Sequence, residues 1–271
     1  MNIIERASAS VQARVIHPWQ QGHFEKTKYG KQLAEYKNKY AGWRCFFIGN
    51  GPSLRAEDLT LLHRNGEITF AFNRIYNIFD DTPWRPDFYI SQDEKMLSGC
   101  AETVDGLDLP VKLVPIQLKW YHDIQIHDGL YFNITHQEVE DPGRFHFSDD
   151  AAHELFNSST GMYTAAQLAV YMGFREIFLI GVDHHFRISQ NNRGEIVVDD
   201  SVKDYFTDRY NEDKAELYIP NTEKSTLTYA AMKIHCEKRG VRVCNATRGG
   251  KLEVFPRIDL DSLFIQEEPL L

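Results

Sequence analysis

From Trp43 onward the chain alternates short apolar runs with polar turns, and several runs, such as those at 45–48 and 177–180, are apolar at every position. Successive side chains of a strand point to opposite sides, so a run of this kind belongs in a parallel sheet with helices over both faces. The runs predict strands over 44–48, 67–72, 87–90, 111–115, 176–180 and 241–244, and helical periodicity predicts helices over 56–64, 160–172 and 225–238. Strand and helix alternate, so the expected fold class is α/β, a Rossmann-like three-layer sandwich with a mainly parallel sheet. Ahead of it, Tyr29, Leu33, Tyr36 and Tyr40 fall at helical spacing in a polar stretch ended by Gly42. Residues 1–42 thus read as an N-terminal helical extension, docked on the main domain or offered to a partner, and 43–271 as the Rossmann-like domain. The stretches 117–153 and 189–219 have no clear period and read as lid-like insertions.

Composition removes several function classes. The 271 residues are 42% hydrophobic, enough for a substantial core. Thirty basic against 39 acidic side chains leave a net charge of −9 with no Lys/Arg block, so no nucleic-acid partner is expected. No segment is long and apolar enough to span a bilayer, and the first thirty residues lack the apolar stretch of a signal peptide. A cytoplasmic location follows as the expectation, with peripheral membrane association still allowed. Cys45, Cys100, Cys236 and Cys244 show no zinc or redox spacing and suit reduced, buried thiols. No metal-ligand set is legible, and no cofactor is required by any motif.

In an open parallel sheet, ligands bind beyond the carboxyl ends of the strands, where loops diverge and helix N-termini point inward. Here the predicted strand ends carry Gly49-Asn50-Gly51-Pro52-Ser53, then Asn73, then Gln92-Asp93, then Asp183-His184-His185, and last a glycine-rich loop with Arg248 and Lys251. In the first turn two glycines let backbone approach a ligand, Pro52 pre-sets a helical turn and Ser53 faces phosphate oxygen; a tight turn with no ligand is the plainer alternative. It lacks both the G-x-G-x-x-G spacing and a P-loop lysine, so neither a dinucleotide dehydrogenase nor a Walker ATPase is indicated. Ser159, Thr160 and Gly161 precede a long apolar helix, where hydroxyls cap N–H groups and the same donors hold an anion. An extended Asp183-His184-His185 would put Asp183 and His185 on one face, with either imidazole able to take a proton from a hydroxyl and Asp183 able to orient a ligand or help hold Mg²⁺. Arg248 and Lys251 are candidates to neutralise a diphosphate or sugar carboxylate, or are solvated loop charges.

The blocks IGNGPSL, AFNRIY and SSTGMYTAAQLAVYMGFREIFLIGVDHHF resemble the bacterial sialyltransferases that use CMP-sialic acid. They also resemble proteins grouped with archaeal 6-hydroxymethylpterin diphosphokinase and the central domain of motility-associated flagellin glycosyltransferases. The resemblance runs in order from about Cys45 to Phe186. It implies that Gly49, Asn50, Gly51, Ser53 and Asn73 bind the nucleotide and its phosphate, that Ser159, Thr160 and Gly161 contact the donor, and that Asp183 lies in the same site. Two positions depart from the sialyltransferase pattern. Asn221 stands nearest to the family's catalytic His, and Asn157 and Ser158 stand where an Arg precedes the Thr-Ser-Gly turn.

The leading expectation is therefore a glycosyltransferase with a nucleotide-sugar donor, a CMP-sugar first, and a glycan or glycoconjugate acceptor in bacterial surface glycan synthesis. His185, His184 and Asp183 are its expected catalytic residues, and a homo-oligomer its expected state. The alternatives are diphosphoryl transfer from ATP to a pterin alcohol, with Mg²⁺ on carboxylates such as Asp93 and Asp183, and a non-catalytic nucleotide-binding scaffold.

Overall fold

The apolar runs become the centre of a computed structural model that describes residues 11–211 and 218–265. Residues 1–10, 212–217 and 266–271, which include parts of the predicted extension and of the second insertion, lie outside the described residues. In chain order the strands are β1 (Arg44–Ile48), β2 (Ile68–Phe72), β3 (Phe88–Ile90), β4 (Lys112–Pro115), β5 (Gly129–Phe132), β6 (Ile134–His136), β7 (Leu155–Asn157), β8 (Glu176–Ile180), β9 (Ile188–Gln190), β10 (Ile196–Val198) and β11 (Arg242–Asn245). The α-helices are α1 (His17–Gly22), α2 (Lys28–Ala34), α3 (Ala56–Arg64), α4 (Glu94–Asp105), α5 (Ile116–Tyr121), α6 (Gly161–Met172) and α7 (Thr222–Lys238).

Seven strands form one parallel sheet in the order β11-β8-β1-β2-β3-β4-β5. The pleat sends alternate residues to two separate cores. Cys45, Phe47, Ile177 and Leu179 meet Met162, Leu168 and Met232 of α6 and α7 on one face, while Phe46, Ile48, Phe178 and Ile180 meet Leu59, Leu62, Met96 and Leu97 of α3 and α4 on the other. Each fully buried Leu, Ile or Phe contributes roughly 1.5–3 kcal/mol through lost apolar surface, so neither face could be left open. This is the expected α/β three-layer sandwich.

Two predicted features are corrected. The 117–153 stretch is not only a lid, because it contains β5, which completes the sheet edge, and β6, which pairs with β7. The apolar stretch of β5, Leu130-Tyr131-Phe132, lies in a segment rich in His, Asp and aromatics with no clear period, so it does not stand out as a strand. The N-terminal helix stops at Ala34, and the residues to Gly42 are turns in which Asn38 has φ 56°. The tyrosines still cover the core: Tyr29 meets Tyr131, and Tyr40 stacks on Phe174 at 4.9 Å, worth about 1 kcal/mol beyond burial. Phe24 and Leu33 are fully buried, each in a different core.

Connections run outward from β1 through β2 to β5, then return to β8 on its other side. The order reverses between β1 and β8, and the loops leaving their carboxyl ends diverge there, opening a crevice.

Candidate functional site

That crevice is a cleft of about 860 Å³. It gathers Gly49, Asn50, Gly51, Asn73, Gln92, Asp93, Ser159, Thr160, Gly161, Asp183, His184 and His185. Residues separated by more than a hundred positions thus meet at one sheet edge.

The turn after β1 is built differently from its expectation. A Cβ on Gly49 would lie 2.4 Å from the Gly181 carbonyl oxygen, and one on Gly51 would lie 2.0 Å from Asp183 Oδ2. These glycines let the β1 and β8 loops touch each other. Gly49 N–H donates to the Ile180 carbonyl (2.7 Å), Gly51 N–H to that of Gly181 (2.9 Å) and Leu54 N–H to that of Gly51 (3.1 Å). Ser53 lies behind the cleft lining, and its hydroxyl donates to Asp183 Oδ2 at 2.7 Å. Helix α3 begins only at Ala56, after Arg55, which makes no side-chain cap, so Pro52 sits in a turn rather than a first helical turn. What the turn offers the cleft is Asn50. Its Nδ2 donates to the Phe72 carbonyl at 3.0 Å, which orients the amide, and its Oδ1 is buried with no partner among the described residues. Gln92 Oε1 is in the same state. A buried acceptor without a donor costs on the order of 1–3 kcal/mol, which a ligand N–H or O–H would recover.

The opposite wall follows the sequence expectation. Helix α6 starts directly at Gly161, with Thr160 Oγ1 accepting from Met162 N–H at 3.3 Å. Helix α7 starts at Thr222, capped by Asn221 Oδ1, which accepts from Lys224 N–H at 2.9 Å. Its first turns bring Lys224, Ser225 and Tyr229 to the cleft. Asn73 holds a left-handed backbone (φ 53°), tolerable for an Asn, and its Oδ1 accepts from Ser91 Oγ at 3.4 Å.

Asp183-His184-His185 is not extended, because His184 has φ 53°. Burial pushes the Asp183 carboxyl above its ordinary range, against the opposing donation from Ser53. Burial likewise raises Asp93, whose Oδ1 accepts from Met96 N–H at 3.0 Å as the cap of α4. Among the described residues no group of three or more His, Cys, Asp or Glu side chains could hold a metal ion. Asp183 accepts from Ser53 through Oδ2 and Asp93 caps α4 through Oδ1, so each carboxylate named as a Mg²⁺ ligand already serves the fold through one oxygen.

Arg248 and Lys251 are not in the lining. Arg248 binds Asp58 at 2.8 Å and Asp261 at 3.4 Å, clamping the last loop to α3 instead of facing a phosphate. Lys251 stands at the rim, with Nζ 3.5 Å from His185 Nε2. The sequence reading also missed Tyr205 and Tyr210, which stack at 3.7 Å and line the cleft from the second insertion. Burial pushes Tyr205 and Tyr229 up to about 12, so their phenols stay protonated donors. Aromatics clustered in an otherwise acidic, polar stretch were the available signal.

An α/β protein with a parallel seven-stranded sheet and a polar cleft at its reversal point is the class that fold and site define. The chain belongs to the 6-hydroxymethylpterin diphosphokinase MptE-like family, whose model matches residues 22–189, more than half of it. Membership supports a nucleotide-dependent, transferase- or kinase-like role in general. Among solved structures, the MAf glycosyltransferase from Magnetospirillum magneticum AMB-1 is similar with a TM-score of 0.47 and 16% identity, over 86% of this chain and 38% of that one. No curated protein matches the chain. No helix of the described residues is long and apolar enough to cross a membrane.

Proposed function

We propose that this protein is a glycosyltransferase that moves a sugar from a nucleotide-activated donor, a CMP-linked acidic sugar first among the candidates, to a hydroxyl acceptor. The positively polarised groups gathered in the cleft support a phosphate-bearing donor. Two helix N-termini, each equivalent to roughly half a positive charge, and Lys224 face the same space. They match a nucleoside monophosphate ester bearing a sugar carboxylate. Asp93, Glu94, Glu138, Asp183 and Asp204 line the same walls, so a metal-bound triphosphate is separated from this donor by its dependence on Mg²⁺.

In this mechanism the start of α6 and the hydroxyls of Ser159 and Thr160 hold the departing phosphate, and Asn50, Asn73 and Gln92 orient the nucleotide. The acceptor oxygen attacks the anomeric carbon from the face opposite the phosphate, and His185 takes its proton. Donors fixed before the reaction stabilise the charge that grows on the phosphate.

A thermal-shift panel of CMP, CDP, UDP, GDP and ATP, with and without Mg²⁺, tests the reading. A rise in Tm with CMP in the absence of metal is expected. A response confined to ATP with Mg²⁺ would favour diphosphoryl transfer, and no response to any nucleotide would overturn the reading.

A further inference from the structure

The second insertion brings to His185 a carboxylate that no strand-end motif contains. Asp199 follows β10, beyond the family match, and its Oδ2 lies 3.0 Å from His185 Nε2. An ionised carboxylate can only accept, so Nε2 carries the ring proton and Nδ1 is the nitrogen left for a substrate hydroxyl. The Lys251 ammonium, 3.5 Å from the same Nε2, is the weaker neighbour and does not reverse this.

Asp199 is itself held. The backbone N–H of Ser201 donates to Asp199 Oδ1 at 3.0 Å, the Ser201 hydroxyl donates to the same oxygen, and Asp199 N–H donates to the Arg187 carbonyl at 2.8 Å. Those donations, the Ser201 hydroxyl first, keep the carboxyl below its ordinary range. The groups facing His185 are therefore Asp199 and Lys251, with Asp183 two residues away exerting a weaker field.

His184 makes the contrast. Its Nε2 is 2.7 Å from Thr226 Oγ1, a hydroxyl that gives its own proton to the Thr222 carbonyl (2.8 Å), and its ring stands edge-on to Tyr229 at 5.5 Å. Among the described residues no carboxylate is paired with that ring, and burial lowers its pKa.

We propose that Asp199 is a positioning residue for His185, fixing the Nε2–H tautomer so that Nδ1 is the proton acceptor of the transfer step. The step rests on the glycosyl-transfer reading above. The bond from acceptor oxygen to anomeric carbon forms as the bond from that carbon to phosphate oxygen breaks. The phosphate leaves with the electron pair, and the acceptor proton passes to Nδ1, giving an imidazolium that Asp199 steadies until water removes the proton.

Long-range ¹H–¹⁵N NMR of ¹⁵N-histidine-labelled protein, with His185→Gln to assign the ring, tests the pairing without any nucleotide. The Nε2–H tautomer is expected in the native chain, lost in Asp199→Ala and weakened in the milder Ser201→Ala. An Nδ1–H tautomer in the native chain, or one unchanged by Asp199→Ala, would overturn the proposal. With a CMP-sugar that is turned over, Asp199→Ala should lower kcat about 10–100-fold with KM nearly unchanged, and Asp199→Glu should restore part of it. An unaltered kcat would also overturn it. If no nucleotide-sugar is turned over, the transfer reading fails, and the NMR result still decides the pairing.

Discussion

The two strand-to-helix turns facing each other across the cleft use similar residue types for opposite ends. After β1, the Gly-Asn-Gly-Pro-Ser turn binds protein to protein: its glycines admit the β8 loop, its N–H groups bond to Ile180 and Gly181, and Ser53 holds Asp183. Before α6, Ser159, Thr160 and Gly161 open a twelve-residue helix immediately, with the dipole and the hydroxyls directed at the cleft. The more distinctive motif in sequence is thus the clamp, and the blander Ser-Ser-Thr-Gly run is the helix start that lines the cleft and that the proposed mechanism sets against the phosphate. A turn can hold a phosphate only with donors that its own fold leaves unbonded.

Substitutions on the two sides should separate these roles. Gly49→Ala carries the largest expected effect. Its Cβ would meet backbone at 2.4 Å, so a loss on the order of 3 kcal/mol or more is expected in urea unfolding. A loss under 1 kcal/mol would show that the two loops are not clamped.

Arg248→Ala comes next. It leaves the buried Asp58 without its partner and should cost about 2 kcal/mol of stability, discounted because Arg248 is partly exposed, while CMP affinity stays within about twofold. A marked loss of nucleotide binding in a folded variant would put Arg248 back among the ligand contacts.

Thr160→Ala and Asn50→Ala should each cost about 1 kcal/mol of stability but weaken CMP binding about tenfold, read by calorimetry. Should Asn50→Ala bind CMP normally while Thr160→Ala does not, the β1 turn is a clamp alone.

The smallest effect is a pH dependence. The Asp183 carboxyl is raised by burial, so its contribution to stability is present below the ordinary carboxylate pKa and lost as pH rises through the folded value. Asp183→Asn should flatten the urea midpoint against pH in that window. A slope unchanged by the substitution would mean that the carboxyl is solvated in the native state.

The sheet was legible in sequence wherever a strand is apolar throughout. The runs around Phe46 and Phe178 fall on β1 and β8. β5 was missed because its apolar residues sit in a segment rich in His, Asp and aromatics with no clear period, and only the pairing with β4 at the sheet edge marks them as a strand. The convergence of Asn50, Thr160 and Asp183 followed from one rule about strand ends. What could not be read was the bonding state of each group. That Ser53 faces Asp183 rather than a ligand, or that Asp199 reaches His185 from a polar insertion, depends on loops that come together only in the fold.

Hydrogen–deuterium exchange with and without CMP is the most direct test of a nucleotide seated between these two helix starts. Slowed exchange is expected at the amides of 160–163 and 222–226, with little change across 246–250. Protection centred on the Arg248 loop, with the starts of α6 and α7 unaffected, would contradict it.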